Sequence, residues 1–313
     1  MAPTVFVTGI AGFVGGNTVS YLVEKHPDYK IIGLVHNEEQ AKLLKLAEMA
    51  SSDHPKGATA LIEGLSKRKG GPGYLIHVSG TGVLVELSEP SGAGPTPKNN
   101  KIYNDVTNIA AITSLGPTYL HGPCDVAVLE TGKELRVPTA IVCPPLVYGM
   151  GKGPVKTRNG QLPFLGEAIL KRGKAFTIGE GKEYFDFVHA DDLAAALILL
   201  TEDALKPHGG KAQWGPEGYY FCEAGELTWN TATPAMTQIL HQKGALTTAE
   251  IDQITLEVAK KIHPLAFNLW GGNARSRAER LRNLGWRPEA KSVWDVMGEI
   301  ADDEITRFEE GRY

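Results

Sequence analysis

The stretch Thr4-Val-Phe-Val-Thr8-Gly-Ile-Ala-Gly-Phe-Val-Gly15 decides how the chain begins to fold. Thr4–Thr8 is a short β-branched and aromatic run, which favours an extended strand. Gly9 then permits a tight turn. Val14, Val19, Leu22 and Val23 recur at helical spacing. Gly12 lets backbone N–H groups approach a phosphate with no Cβ in the way. Gly15 lets the helix pack closely on the strand. The start of the helix then faces phosphate charge with its unpaired amides and the positive end of its dipole. Thr8, Gly9, Gly12, Phe13, Val14 and Gly15 are therefore the candidates for cradling a pyrophosphate.

Lys30–Val35 predicts a second buried strand, which completes a strand–turn–helix–strand unit. Asn37 can cap a helix over Glu38–Ala47. Ala58, Leu61, Ile62 and Leu65 predict another from about Pro55 to Lys67, with Pro55 in its first turn and Ser52 or Asp53 as its cap. Tyr74–Val78 is a predicted strand and Pro90–Asn100 a loop. Pro123–Thr131 predicts a helix. Thr139–Cys143 reads as a strand stopped by Pro144 and Pro145. Phe185–Val188 is extended, with Asp191 or Asp192 capping a helix over Leu193–Leu200. Tyr219–Cys222 is a strand. Thr247–Glu250 spells a capping box for a helix through Ile251, Ile254 and Val258. Val293 to about Phe308 is the last helix. Alternating strands and helices imply a parallel sheet covered on both faces.

The 313 residues carry 42% hydrophobic and 22% charged side chains, an ordinary balance for a folded chain that excludes wholesale disorder. A net charge of −4 offers no general attraction to nucleic acid or to an anionic membrane. Cys124, Cys143 and Cys222 are odd in number and widely spaced, so neither a disulfide framework nor a metal site is expected. The N-terminus lacks a basic segment followed by an apolar core, and no apolar run is long enough to span a bilayer. The expected address is cytoplasmic. Trp214, Trp229, Trp270, Trp286 and Trp294 are expected in the core or lining a substrate cleft.

The glycine spacing after Thr8 resembles that of the extended short-chain dehydrogenases/reductases, also called the NAD-dependent epimerase/dehydratase family. Further segments are similar in the family's order. His54-Pro-Lys-Gly57 resembles its helix before the fifth strand, and Tyr74-Leu-Ile-His-Val-Ser79 that strand with its catalytic serine. Pro144-Pro-Leu-Val-Tyr148-Gly149 resembles the turn after the sixth strand. Phe187-Val-His-Ala-Asp-Asp-Leu193 resembles a late strand–helix junction, and Leu284-Gly-Trp-Arg-Pro288 a C-terminal motif. The resemblance implies a doubly wound Rossmann sheet. Residues 1–150 would form the NAD(P)-binding domain, and 151–313 a mixed region with late sheet elements and a small C-terminal substrate lid. It also implies an NAD(P)-dependent oxidoreductase acting on a small carbonyl or alcohol, with Ser79 in the site. Ser51, Pro144 and Leu146 join the cofactor candidates. A homodimer is a further expectation.

The second strand ends Leu34-Val-His36-Asn37 with no acid to grip an adenosine ribose, so NADP is expected over NAD, beside His36 and Asn37. Two departures from the family stand out. Two further strands and three crossovers need at least roughly 43 residues. The chain offers only 37–73, so the third strand and most of the fourth are expected to be missing. The family's Tyr-x-x-x-Lys pair is the second absence. Tyr21…Lys25 lies on the first helix and Tyr148…Lys152 in a turn, and neither is assigned a catalytic role. At the expected position stand Gly122 and Val126. Tyr119 and His121, just before that helix, are the substitutes considered for acid/base work. Arg275, Arg277, Arg280 and Arg282 read as a solvated helix face. The alternatives are an NmrA-like NAD(P)-binding sensor without turnover, a nucleotide-sugar epimerase or dehydratase, and a shortened inactive product.

Overall fold

The computed structural model describes residues 2–34, 53–69, 73–85, 101–158 and 160–312. The chain opens with β1 (Thr4–Val7), α1 (Phe13–Lys25) and β2 (Lys30–Gly33). The strands pair in parallel, with Thr4 opposite Lys30 and Val7 opposite Gly33. After α2 (Pro55–Ser66) come β3 (Leu75–Val78), α3 (Gly122–Leu135), β4 (Thr139–Cys143) and β5 (Leu146–Tyr148). Next are α4 (Gln161–Arg172), β6 (Ala175–Ile178), β7 (Tyr184–His189) and α5 (Ala190–Ala204). The remainder holds β8 (Tyr219–Phe221), β9 (Gly225–Thr228), α6 (Trp229–Gln242), β10 (Ile251–Ile254), α7 (Leu256–Ile262) and α8 (Val293–Glu309).

The central sheet is parallel, in the order β3-β4-β8. Every residue of β4 is buried, as expected of a parallel strand covered on both faces. The β5 and β9 strands flank β7, β5 in parallel and β9 antiparallel. The main core surrounds these strands, with Tyr219, Tyr220, Phe176, Phe185, Trp229 and Trp270 nearly or wholly sealed from solvent. A second, small cluster of Ile10 and Ala11 lies under the opening turn, packed by Val7, Val19 and Val155. Among the described residues no ladder joins β1 to β3. Phe6 on β1 is 47% exposed. The helix expected over Glu38–Ala47, Ser51, and the whole loop Pro90–Asn100 lie outside the described residues.

Several expectations are corrected. Ile251–Ile254 is a strand, not helix. It pairs in parallel with Ala175–Ile178, where it satisfies the edge donors and acceptors of β6 and carries Asp252 to Arg172 and Lys174. The helix begins later, with Thr255 accepting from the amide of Val258. Neither Asp191 nor Asp192 caps α5. His189 does so, its Nδ1 accepting from the Asp191 amide at 3.1 Å, while Asp192 accepts from the amides of Glu289 and Ala290. For α2 the cap is His54, whose Nδ1 accepts from Gly57 at 2.7 Å. The arginine run is not a solvated face. Arg275 and Arg277 both reach Glu226, Arg280 reaches Glu217 and Arg282 reaches Glu223, because Ser276–Arg277 is extended and helix begins only at Glu279, so the four do not share one helical face. Of the tryptophans, Trp229, Trp270 and Trp286 are core residues and Trp294 is 45% exposed.

Asp186 on β7 is fully buried and accepts from both the amide and the hydroxyl of Ser276. Burial pushes its carboxyl up to about 8 from an ordinary 3.8. The native chain therefore holds an extra proton between those values, and stability falls as pH rises through that window. Asp186→Asn removes this ionisation. The drop in Tm from pH 5 to pH 8, followed by circular dichroism, is expected to be smaller in the variant than in the parent. An equal drop would contradict the assignment.

Candidate active site

The opening turn closes on itself. The amide of Gly12 donates to the carbonyl of Gly9 at 2.8 Å, and Gly9 has φ 69°, in the left-handed region that glycine reaches without cost. A Cβ on Gly12 would sit 3.0 Å from the Gly9 oxygen, and one on Gly15 only 2.3 Å from it. Gly15 is thus needed by the turn rather than by the strand. By helix geometry the amides of Phe13, Val14 and Gly15 have no partner inside α1. No side chain caps the helix and no acid stands in its first turn. The cradle therefore fits an anionic pyrophosphate, both by the space the glycines leave and by the unopposed dipole.

Asn17, 1% exposed, fixes where this helix sits. Its Nδ2 donates to Asp191 on α5 at 3.2 Å, and its Oδ1 accepts from the amide of Lys152 at 2.8 Å. Gly16 lies against Gly153, where a Cβ would stand 3.2 Å from the Gly153 Cα. Phe13 is buried against Gly151. The two discounted motif matches meet here: the Lys152 ammonium lies 3.9 Å from the centre of the Tyr21 ring. That contact binds α1 to the segment after β5. Thr8 is half-buried, Val14 packs on the main core, and Leu146 is 2% exposed within it. Pro144 accepts from the amide of Thr81 at 2.9 Å. His36, Asn37 and Ser51 lie outside the described residues.

Ser79 follows β3 and is 8% exposed. Its hydroxyl donates to Asp125 Oδ2 at 3.0 Å, and the same oxygen accepts from the Tyr219 hydroxyl at 3.3 Å. Asp125 stands in the first turn of α3, the helix on which the resemblance sets Gly122 and Val126 against the family's pair. Burial pushes its carboxyl up to about 6, against the pull of Ser79. His77 Nε2 lies 3.8 Å from Asp125 Oδ1, too far for a hydrogen bond, and both atoms are buried with no hydrogen-bond partner among the described residues. Burial pushes the His77 imidazole down to about 4, so it is neutral at physiological pH. Tyr219 is sealed, its phenol raised well above 10 by burial.

His121 and Tyr119 part company. Tyr119 packs its side chain on the main core and accepts from the Gly122 amide through its backbone. His121 is the N-cap position of α3 with φ 66°, and its Nδ1 lies 2.6 Å from Asp53 Oδ1. The hydrogen bond from His121 holds the Asp53 carboxyl below its usual range. Asp125, Asp53, His77 and Tyr219 are the residues that sequence reasoning missed. Only Asp125 had a signal: a carboxylate one position before Val126, in the first turn of the helix where the family's lysine is expected.

Residues 124–212 match the model of the NAD dependent epimerase/dehydratase family. Oxidase ucsJ of Acremonium sp is 27% identical over 349 aligned positions, covering 98% of this chain and 99% of the relative. Since this chain has 313 residues, at least 36 of those 349 positions face gaps in it. Among solved structures, dTDP-glucose 4,6-dehydratase of Bacillus anthracis in complex with NAD is 18% identical, covers 99% of this chain and 97% of its own, and has a TM-score of 0.59. UDP-glucuronic acid 4-epimerase of Bacillus cereus, in complex with UDP-glucuronic acid and NAD, is 15% identical, with 97% and 99% covered and a TM-score of 0.59. No described helix is long and apolar enough to cross a membrane, and no described group of His, Cys, Asp and Glu could hold a metal ion.

The Gly9 contact separates two kinds of helical glycine. Gly15→Ala gains helix propensity of about 1 kcal/mol but drives a Cβ into backbone, and overpacking costs about 1–3 kcal/mol. A net loss of stability is expected in denaturant unfolding. Gly64→Ala on α2, with nothing within 4 Å of the added Cβ, is expected to gain stability instead. Equal behaviour of the two variants would refute the contact. Residues 124–212 thus resemble the NAD dependent epimerase/dehydratase family, and the chain shares the Rossmann-like α/β fold of the solved structures.

Proposed function

We propose that this protein is an NAD(P)-dependent oxidoreductase that moves a hydride between a nicotinamide and a small carbonyl or alcohol substrate. The observation that carries this is the acid-free, glycine-lined start of α1, which offers free amides to a pyrophosphate. Ser79, at the C-terminal end of a strand of the parallel sheet, stands where ligands bind in sheets of this kind. NAD in the solved neighbours and the oxidase function named for the relative point the same way. Thr8, Gly9, Gly12, Phe13, Val14 and Gly15 would hold the diphosphate. His36 and Asn37, in place of an acid, favour NADP.

The finer architecture is part of the same proposal. The short span between 37 and 73 would leave the sheet without the third strand and most of the fourth, and residues toward the C-terminus would serve as the substrate lid. Nucleotide-sugar chemistry is the weaker reading. Arg275, Arg277, Arg280 and Arg282 are each engaged by carboxylates, which a substrate diphosphate would have to displace.

Titration with NADPH and NADH, followed by nicotinamide fluorescence, tests the proposal. Binding of at least one is expected. Gly12→Glu places a carboxylate against the diphosphate and is expected to weaken that binding by roughly a hundredfold, about 2.7 kcal/mol. A folded sample that ignores both nucleotides at millimolar concentration, or a variant that binds as the parent does, would sink it.

A further inference from the structure

We propose that His121, oriented by Asp53, is the proton acceptor and donor of this site, in the role that the missing tyrosine and lysine fill elsewhere in the family. The inference rests on the oxidoreductase reading above. It stands on position, orientation and strain. A Cβ on Gly80 would lie 2.9 Å from His121 Nε2, so the ring edge hangs over the residue that follows Ser79. The ring fits there only because position 80 is glycine. Nδ1 is taken by Asp53 at 2.6 Å. Asp53 remains a carboxylate through this bond and accepts the Nδ1 proton, which leaves the lone pair of the neutral ring on Nε2. The side chain is 19% exposed, reachable from solvent yet held on one side. The backbone of His121 sits at φ 66°, an arrangement that costs a non-glycine residue free energy and recurs at functional sites.

The other titratable groups facing the site are less suited. Asp125 is enclosed and already accepts from Ser79 and Tyr219. His77 is buried and uncharged, and Tyr219 is sealed. Cys124 is 2% exposed, its thiol raised to about 11 by burial. For oxidation of an alcohol, Nε2 takes the hydroxyl proton and the carbinol C–H leaves with its electron pair. The C–O bond becomes C=O, and the nicotinamide, as NAD(P)+, receives the hydride to give NAD(P)H. Reduction of a carbonyl runs the same transfers backwards, with the imidazolium supplying the proton. Asp53 is a positioning residue, since it acts through His121.

Two measurements test this. In the protein without nucleotide, long-range ¹⁵N–¹H spectra of the histidines are expected to show His121 bare at Nε2. In Asp53→Asn the amide can donate to Nδ1, so the bare nitrogen is expected to move to Nδ1. A proton on Nε2 in the parent would overturn the proposal. The second measurement uses His121→Gly, which suits a positive φ and is expected to fold and bind NADPH as the parent does. Its NADPH-dependent reduction of p-nitrobenzaldehyde is expected to fall roughly a hundred- to ten-thousandfold, with partial recovery on adding imidazole. A variant that keeps the parent rate would overturn the proposal. A parent that binds NADPH yet never reduces the aldehyde would instead count against the oxidoreductase reading, and the tautomer measurement would still decide how His121 is held.

Discussion

The approach of Gly15 to the carbonyl of Gly9 is the constraint on which the opening unit depends. A methyl group at position 15 would fall 2.3 Å from that oxygen, so the first turn of α1 can lie on the glycine turn only as glycine. The contact sets the direction of the helix axis relative to β1. It also determines where the free amides of the helix point. Gly33 extends the constraint to β2, because its missing Cβ makes room for the Ile10 side chain at 2.7 Å. Strand, turn, helix and second strand are thus coupled through two places where backbone or side chain occupies the volume of an absent Cβ.

Among the described residues, this unit is joined to the rest by helix packing and polar ties, with no ladder from β1 to β3. Asn17 binds α5 and the segment after β5 at once, and its near-complete burial makes both hydrogen bonds expensive to lose. The C-terminal part uses the same device on a larger scale. Glu226 takes Arg275 and Arg277, Glu223 takes Arg282, and Asp105 accepts from the Arg280 backbone at 3.0 Å. These pairs tie the segment around 275–282 to β9 and to the loops beside β8. Buried carboxylates so paired specify an arrangement more than they add net stability, since desolvation offsets much of the attraction.

The environment of Ser79 follows from burial in the same way. Asp125 enters the site because α3 begins above β3, and its raised carboxyl reflects the apolar strands β4 and β8 around it. His77, one turn of the pleat before Ser79, is kept neutral by the same surroundings. An uncharged imidazole and a hydrogen-bonded carboxylate leave the site with few groups able to exchange protons with solvent. Access therefore separates them, and His121 and Asp53 are more exposed than Asp125 and His77.

The residues alone determined the opening strand–turn–helix, the buried strand Thr139–Cys143 and a last helix from Val293 to about Phe308, because each rests on local spacing: glycines at a turn, an apolar run stopped by prolines, a helical period. Ser79 was legible at the end of its strand for the same reason. Ile251–Ile254 was not, since a plausible capping box competes with an edge that only the folded chain presents. Gln161–Arg172 and Trp229–Gln242 were not read from the sequence either, although Gly173 ends the first and Thr228 and Thr231 box the start of the second, and both pack against α8. The site is divided along the same line. Asp125 is 46 residues from Ser79 and Asp53 is 68 from His121, so no spacing rule connects them. Their pairing needs the parallel sheet to bring the end of β3, the start of α3 and the start of α2 together, and burial then decides which of them keeps its charge.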